Sequence, residues 1–210
     1  MRAGPGFGAC LSLRSGSCAA CGRMLGPTVV AVAEMAPAPP GLDWQQTQLQ
    51  LNHRRLTVTA PVTETLSRTL RCRVGLTSVR ETCGVGVCGT CTVLLDGSAA
   101  SSCLALTAQL AGVAVTTAEG LLGPDGEPGP VQRAFIRRGA YQCGFCIPAM
   151  TLAVHAALYV RRHRDREAVV DELSGNLCRC GSYPQIREVL MELLADRGGE
   201  AADGATTGGR

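Results

Sequence analysis

Eight of the chain's twelve cysteines fall into two spaced sets, and any fold this sequence adopts has to gather the sulfurs of each set. The first set is Cys83, Cys88, Cys91 and Cys103, spaced C-x4-C-x2-C-x11-C; the second is Cys143, Cys146, Cys178 and Cys180, spaced C-x2-C-x31-C-x-C. Within the first set Gly84, Gly86 and Gly89 alternate with the cysteines. Lacking a Cβ, each can adopt positive φ and let the backbone approach a bound group closely, with its N–H groups turned inward. Each cysteine pair of the second set immediately precedes a helical pattern with an early proline, Pro148 in one and Pro184 in the other, where a missing N–H costs nothing.

Four thiolates wrapped in one x4–x2 loop and closed by a later cysteine follow the plant-type [2Fe-2S] spacing. A structural zinc site favours paired C-x2-C elements around one tetrahedral ion, and disulfides suit an oxidising compartment for which the chain shows no convincing secretory signal. The second set fits a further [2Fe-2S] centre. An oxidised core with four thiolates carries about −2, which two helix N-termini with free N–H groups stabilise. We therefore expect two clusters, held by Cys83, Cys88, Cys91 and Cys103 and by Cys143, Cys146, Cys178 and Cys180.

These motifs resemble the small iron-sulfur subunit of the molybdenum hydroxylases, the family of xanthine dehydrogenase, aldehyde oxidoreductase and aerobic carbon monoxide dehydrogenase. The likeness is carried by ETCGVGVCGTCTVLLDG at 81–97, SCLAL at 102–106, QCGFCIP at 142–148 and LSGNLCRCGSY at 173–183, and it spans residues 46–197. Thr82 stands where the family usually has glycine, Ala149 follows Pro148 where glycine is common, and Gly181-Ser182 replaces a frequent Thr-Gly. The resemblance implies an α+β chain with an N-terminal β-grasp, ferredoxin-like domain and a C-terminal four-helix [2Fe-2S]-binding domain. It implies partners as well: a large subunit with a molybdenum-pterin cofactor and a medium subunit with FAD. Electrons then pass from molybdenum to the helical-domain cluster, to the ferredoxin-domain cluster and on to flavin. At the matching motif positions it places Gln142 in hydrogen bonding to the pterin and Cys180 beside the pterin edge.

Composition sets bounds on the alternatives. Hydrophobic residues are 46% of the chain and aromatics only 3%, so a core of Val, Leu and Ala is expected, cross-linked by the clusters. The formal charge of +3 falls to about −1 once two oxidised clusters are counted, which offers no case for nucleic acid. No apolar run approaches the ~20 residues needed to span a bilayer, and the expected compartment is the cytoplasm. The chain has neither a Rossmann glycine motif in a strand-helix setting nor the length for a molybdenum or flavin domain, so the substrate chemistry is expected on a partner. A free-standing ferredoxin needs no second, helix-borne centre. A zinc-stabilised interaction module would use the same cysteines but be colourless.

Along the chain, residues 1–45 read as a Gly-, Ala- and Pro-rich tail that holds Cys10 and a C-x2-C pair, Cys18 and Cys21. Residues 46–118 read as the ferredoxin-like domain. Within it we expect a hairpin turning at Asn52-His-Arg-Arg55, a short helix on the Val62, Leu66, Leu70 spacing, a strand at Thr92 to Leu95 ending in an Asp96-Gly97 turn, and another at Val113 to Thr116. Cys72, on that helix, is expected to be a small buried apolar residue, and Ser98 to lie in a turn. Residues 119–130 read as a linker, 131–197 as the helical domain and 198–210 as a tail. Its helices are expected at 131–138, 147–162, 166–173 and 184–195. Two residue features are given structural readings: His155 as a packing histidine, and the Arg161 to Arg166 run as a solvated helix end.

Overall fold

The computed structural model describes Gly41 and residues 43–203, with side chains to Arg197; the tail and its Cys10, Cys18 and Cys21 lie outside the described residues. Alternation sets the first hairpin. β1 (Trp44–Leu51) buries Thr47, Leu49 and Leu51, and β2 (Arg54–Pro61) buries Val58 and Ala60. Leu49 pairs with Leu56 across the ladder. The two-residue connection needs positive φ at both positions, which Asn52 (48°) and His53 (65°) adopt. β3 (Thr92–Leu95) and β4 (Ser98–Ser101) form a second hairpin, and β5 (Ala114–Thr116) runs parallel to β1 between the two hairpins, giving the order β2-β1-β5-β3-β4.

One sheet face packs on a short helix, α1 (Leu66–Arg68), which continues as a π-helical turn over Thr69–Arg73. Leu66 and Leu70 point into the core with Val58, Val79, Val93 and Val115. Val62 precedes this helix and takes no part in it. Cys72 is exposed, not buried: it lies beyond the stripe that Leu66 and Leu70 turn to the sheet. Ser98 is likewise the first residue of β4 and not a turn residue.

Beside this core sits a buried ion pair. Arg73 donates to Glu64 through Nε and a terminal nitrogen, at 2.5 and 2.6 Å, with both side chains 7% exposed. Burial alone would raise the Glu64 pKa, but the hydrogen bonds from Arg73 and Thr69 outweigh it and hold the carboxyl below the usual glutamate range. The stabilisation from Glu64 is thus present above the ordinary pKa of about 4.3 and is lost as pH falls through the lowered folded value. Arg73→Met is expected to destabilise by about 3–5 kcal/mol, since it strands a buried carboxylate. A thermal melt of the single variant, set beside the Arg73→Met/Glu64→Gln double variant, measures this; equal melting of Arg73→Met and wild type contradicts it.

The second core is helical. α2 (Pro130–Arg137), α3 (Ile147–His155, continuing as a π turn over Ala156–Val160), α4 (Arg166–Leu173) and α5 (Tyr183–Asp203) enclose Phe135, Met150, Val154, Leu158, Val169 and Leu190. Asp165 caps α4 by accepting from the Ala168 N–H at 3.1 Å. α5 runs on to Asp203, past the Ala195 end expected for it, so residues up to Asp203 of the segment read as tail are helical. His155 stacks on Tyr159 with ring centroids 5.2 Å apart, and Arg161 is exposed and bonds Glu172, in keeping with packing and helix-end roles.

The two cores share a seam. β3 is buried on both faces: Val93 enters the sheet core, while Leu94 meets Ala118, Leu152 and Ala156. The connecting segment is pinned at both sides. The Asn52 side chain accepts from the Thr117 N–H (2.9 Å), and Glu119 accepts from the Ser78 hydroxyl (2.5 Å) and the Ser78 N–H (3.2 Å). The helical half is thereby fixed against the loop that carries the first cysteine set.

Candidate metal centres

The loop between α1 and β3 follows no regular ladder, and its glycines adopt the left-handed region, with φ of 66°, 75° and 68° at Gly84, Gly86 and Gly89. This turns backbone N–H groups onto sulfur. Those of Val85, Cys88 and Val87, with the Cys88 thiol, pull the Cys83 pKa down to about 6. Cys103 shows the opposite: burial and the neighbouring Cys91 thiol push it up to about 11, although the Gly86 N–H points at it. Thiolate forms readily at one edge of this site and needs a cation beside it at the other. Bound iron would supply that cation, so the donor set fits the cluster that the spacing predicts.

The same logic governs the helical site. Burial pushes Cys146 up to about 12, helped by the Cys178 thiol, while the Phe145 N–H and the Cys180 thiol lower Cys143. Cys178 is lowered despite its burial, through the N–H and hydroxyl of Ser182 and the Cys146 thiol. Cys146 caps the start of α3, and Cys178 and Cys180 precede α5, so both cysteine pairs sit at helix N-termini.

In each site the thiols associate two and two. Cys83 contacts Cys88 and Cys91 contacts Cys103; Cys143 contacts Cys180 and Cys146 contacts Cys178. Four thiols gathered in this way would hold a two-iron core. Sequence spacing names the four cysteines of each set but not this pairing.

The two sites differ in which side meets solvent. Cys91 and Cys103 are buried in the sheet core, with Cys83 and Cys88 half-buried. In the helical site Cys146 and Cys178 belong to the core, whereas Cys143 and Cys180 are exposed together with Gln142. The inner parts of the sites touch. Leu177, next to Cys178, donates its N–H to the Cys88 carbonyl at 3.0 Å. Asn176, 6% exposed, donates to the Gly89 carbonyl at 2.9 Å and to the Thr92 hydroxyl at 3.2 Å. Sequence reasoning gave Asn176 no role; a polar residue just before a ligand pair in an otherwise apolar setting was the available signal.

Thr90, between Cys88 and Cys91, was also missed. Its hydroxyl lies 3.2 Å from Cys88 Sγ, 3.0 Å from the Thr82 hydroxyl and 3.1 Å from the Arg80 carbonyl. A hydroxyl has one proton, and Thr90 donates it to the Arg80 carbonyl, which ties Arg80 to the loop that carries Cys88 and Cys91.

Comparison with known proteins agrees with this layout. Residues 49–114 match the family described as "2Fe-2S iron-sulfur cluster binding domain", and residues 117–191 match "[2Fe-2S] binding domain". The chain is 40% identical to the nicotine 6-hydroxylase small subunit of Paenarthrobacter nicotinovorans, covering 73% of this chain and 92% of that one. It is 38% identical to the nicotinate dehydrogenase small FeS subunit of Eubacterium barkeri, over 68% and 90%. Among solved structures, quinoline 2-oxidoreductase from Pseudomonas putida 86 superposes with a TM-score of 0.68 at 33% identity, covering 73% of this chain and 94% of that chain. Aldehyde oxidoreductase from Desulfovibrio desulfuricans gives 0.69 at 34% identity, with 74% of this chain matching 17% of a far longer one. A free-standing ferredoxin and a zinc module are not favoured by these matches. With two [2Fe-2S]-binding domains, the chain belongs to the small iron-sulfur subunits of the molybdenum hydroxylases and is an electron-transfer component of that oxidoreductase class.

Proposed function

We propose that Cys83, Cys88, Cys91 and Cys103 hold one [2Fe-2S] cluster and Cys143, Cys146, Cys178 and Cys180 the other, and that the chain relays electrons between two partner subunits. A [2Fe-2S] centre accepts and releases one electron at a time and, fully ligated by cysteine, offers substrate no open position. The partners are a large subunit with the molybdenum-pterin cofactor and a medium subunit with FAD, in the cytoplasm, where thiols stay reduced for iron. No helix among the described residues is long and apolar enough to cross a membrane. Two of the compared proteins are named for nicotine and nicotinate and one for aldehydes, so we assign substrate choice to the large subunit.

The observation that carries this reading is the polarity of the helical site. Its outer thiol pair, Cys143 and Cys180, is exposed beside Gln142, while its inner pair is buried in the helical core, next to Leu177, whose N–H meets the Cys88 carbonyl of the ferredoxin domain at 3.0 Å. The outer face is where the pterin of the large subunit docks. There the Gln142 amide both donates and accepts, as a heterocycle bearing both kinds of group requires. The inner face leads to the first loop.

Gln142→Ala is expected to keep both clusters and to slow their reduction by substrate in the assembled complex, or to loosen the pterin cofactor. Leaving a buried pterin group unpaired costs about 1–3 kcal/mol. Rapid-mixing spectroscopy with substrate measures it, and wild-type kinetics with full cofactor occupancy would refute the assignment. Substitution at Ser98, in β4 of the other domain, serves as the control that changes neither.

A further inference from the structure

The ferredoxin-domain loop sends one cation across the seam between the sites. Arg80 is fixed at its backbone by Thr90: its N–H donates to the Thr90 carbonyl at 3.2 Å, and its carbonyl accepts from the Thr90 hydroxyl at 3.1 Å. Its side chain leaves that loop and stacks its guanidinium over Phe145, 5.2 Å from the ring centroid. Phe145 lies between Cys143 and Cys146, in the cysteine motif of the other domain. The Arg80 Nε is buried, and its N–H finds no acceptor among the described residues. Its neighbour Glu81 does not neutralise it there, since that carboxylate accepts from the Ser67 hydroxyl at 2.6 Å, on α1.

An uncompensated donor on a charged group is costly to bury, and it persists where something else in the assembled protein meets it. Sulfur anions in the adjoining thiol sites are acceptors of that kind. Reduction adds one negative charge to a cluster, and a cation held beside it, with its Nε buried, favours the reduced form. We propose that Arg80, although it belongs to the ferredoxin domain, raises the reduction potential of the helical-domain cluster through its charge. It thereby makes that cluster a better acceptor for the electron arriving from the partner's active site. The ring of Phe145 is the seat that holds the guanidinium at this place, and the backbone bonds to Thr90 tie the seat to the first loop. This inference rests on the two-cluster reading.

The test is a mediated redox titration of the assembled holoprotein followed by EPR. Cys146→Ser, which removes a ligand in the helical core, identifies the ferredoxin-domain signal as the one that remains. In Arg80→Gln the ratio of reduced to oxidised helical-domain cluster at a fixed potential is expected to drop about tenfold, a downward shift of about 59 mV for one electron. The other cluster shifts less, and Arg80→Lys, which keeps the charge, retains most of the wild-type potential. Unmoved potentials in Arg80→Gln, a larger shift at the ferredoxin-domain cluster, or a lysine variant as low as glutamine overturns the proposal. Should Arg80→Gln fail to load iron, Phe145→Leu decides. It leaves the loop and the charge in place but removes the seat, and it is expected to move the same potential downward; no movement overturns the proposal. Wild-type protein lacking about four irons overturns the two-cluster reading and this inference together, whereas normal iron with unmoved potentials overturns the role of Arg80 alone.

Discussion

Replacing Gly89 by alanine is expected to unload the ferredoxin-domain cluster and loosen the contact of Asn176 and Leu177 with the first loop. Gly89 has φ +68°, and a Cβ built there stands 2.3 Å from the Gly175 carbonyl oxygen and 2.9 Å from the Asn176 Cα. Both obstacles are backbone, so no rotamer change relieves them. The left-handed conformation costs an alanine about 1–2 kcal/mol. Pushing 175–176 away sacrifices the Asn176 bond to the Gly89 carbonyl, and the neighbouring Leu177 bond to the Cys88 carbonyl goes with it, at roughly 1 kcal/mol each. The sum, roughly 3–4 kcal/mol, falls on the loop that must hold Cys88 and Cys91 in place. We expect iron to fall to about two per chain or below, with lowered thermal stability. An alanine variant with full iron and wild-type melting contradicts this contact.

Cys146→Ser is expected to remove the helical-domain cluster alone. Cys146 is 7% exposed within the helical core, and its partner thiol Cys178 is 8% exposed. Serine binds iron poorly and leaves a hydroxyl without a partner among apolar neighbours, a cost of about 1–3 kcal/mol before any loss of cluster-linked stability. The ferredoxin-domain signal is retained because none of Cys83, Cys88, Cys91 and Cys103 belongs to that core. The expected result is about two irons per chain with one EPR signal left. Loss of both signals would show that the first site depends on the second for its folding.

These expectations draw on features that the sequence carried to different degrees. The first hairpin was readable because Leu49, Leu51 and Val58 alternate with polar residues around a turn tolerant of positive φ. β4 was not, since Ser98-Ala-Ala-Ser101 has no apolar alternation and owes its strand to pairing with β3. Cys72 was misjudged by residue type: cysteine is usually buried, but the helical stripe that decides burial here is set by Leu66 and Leu70. The end of α5 was misjudged because Gly198-Gly199 argues for a stop, while the helix carries through them. Both cysteine sets were legible as spacing. What spacing cannot carry is contact across 87 residues, and the side chain of Asn176 reaching Gly89 is such a contact. The pairing of thiols, the exposed outer edge of the helical site and the reach of Arg80 to Phe145 arise in the same way, from the docking of one domain on the other.

Each cysteine set, in the function proposed above, holds its own [2Fe-2S] cluster. The most direct measurement is iron, acid-labile sulfide and zinc per chain in protein purified without oxygen, read together with the visible spectrum. About four irons and four sulfides per chain are expected in red-brown protein with negligible zinc. Colourless protein with stoichiometric zinc, or iron that saturates at about two per chain with all eight cysteines intact, would contradict it.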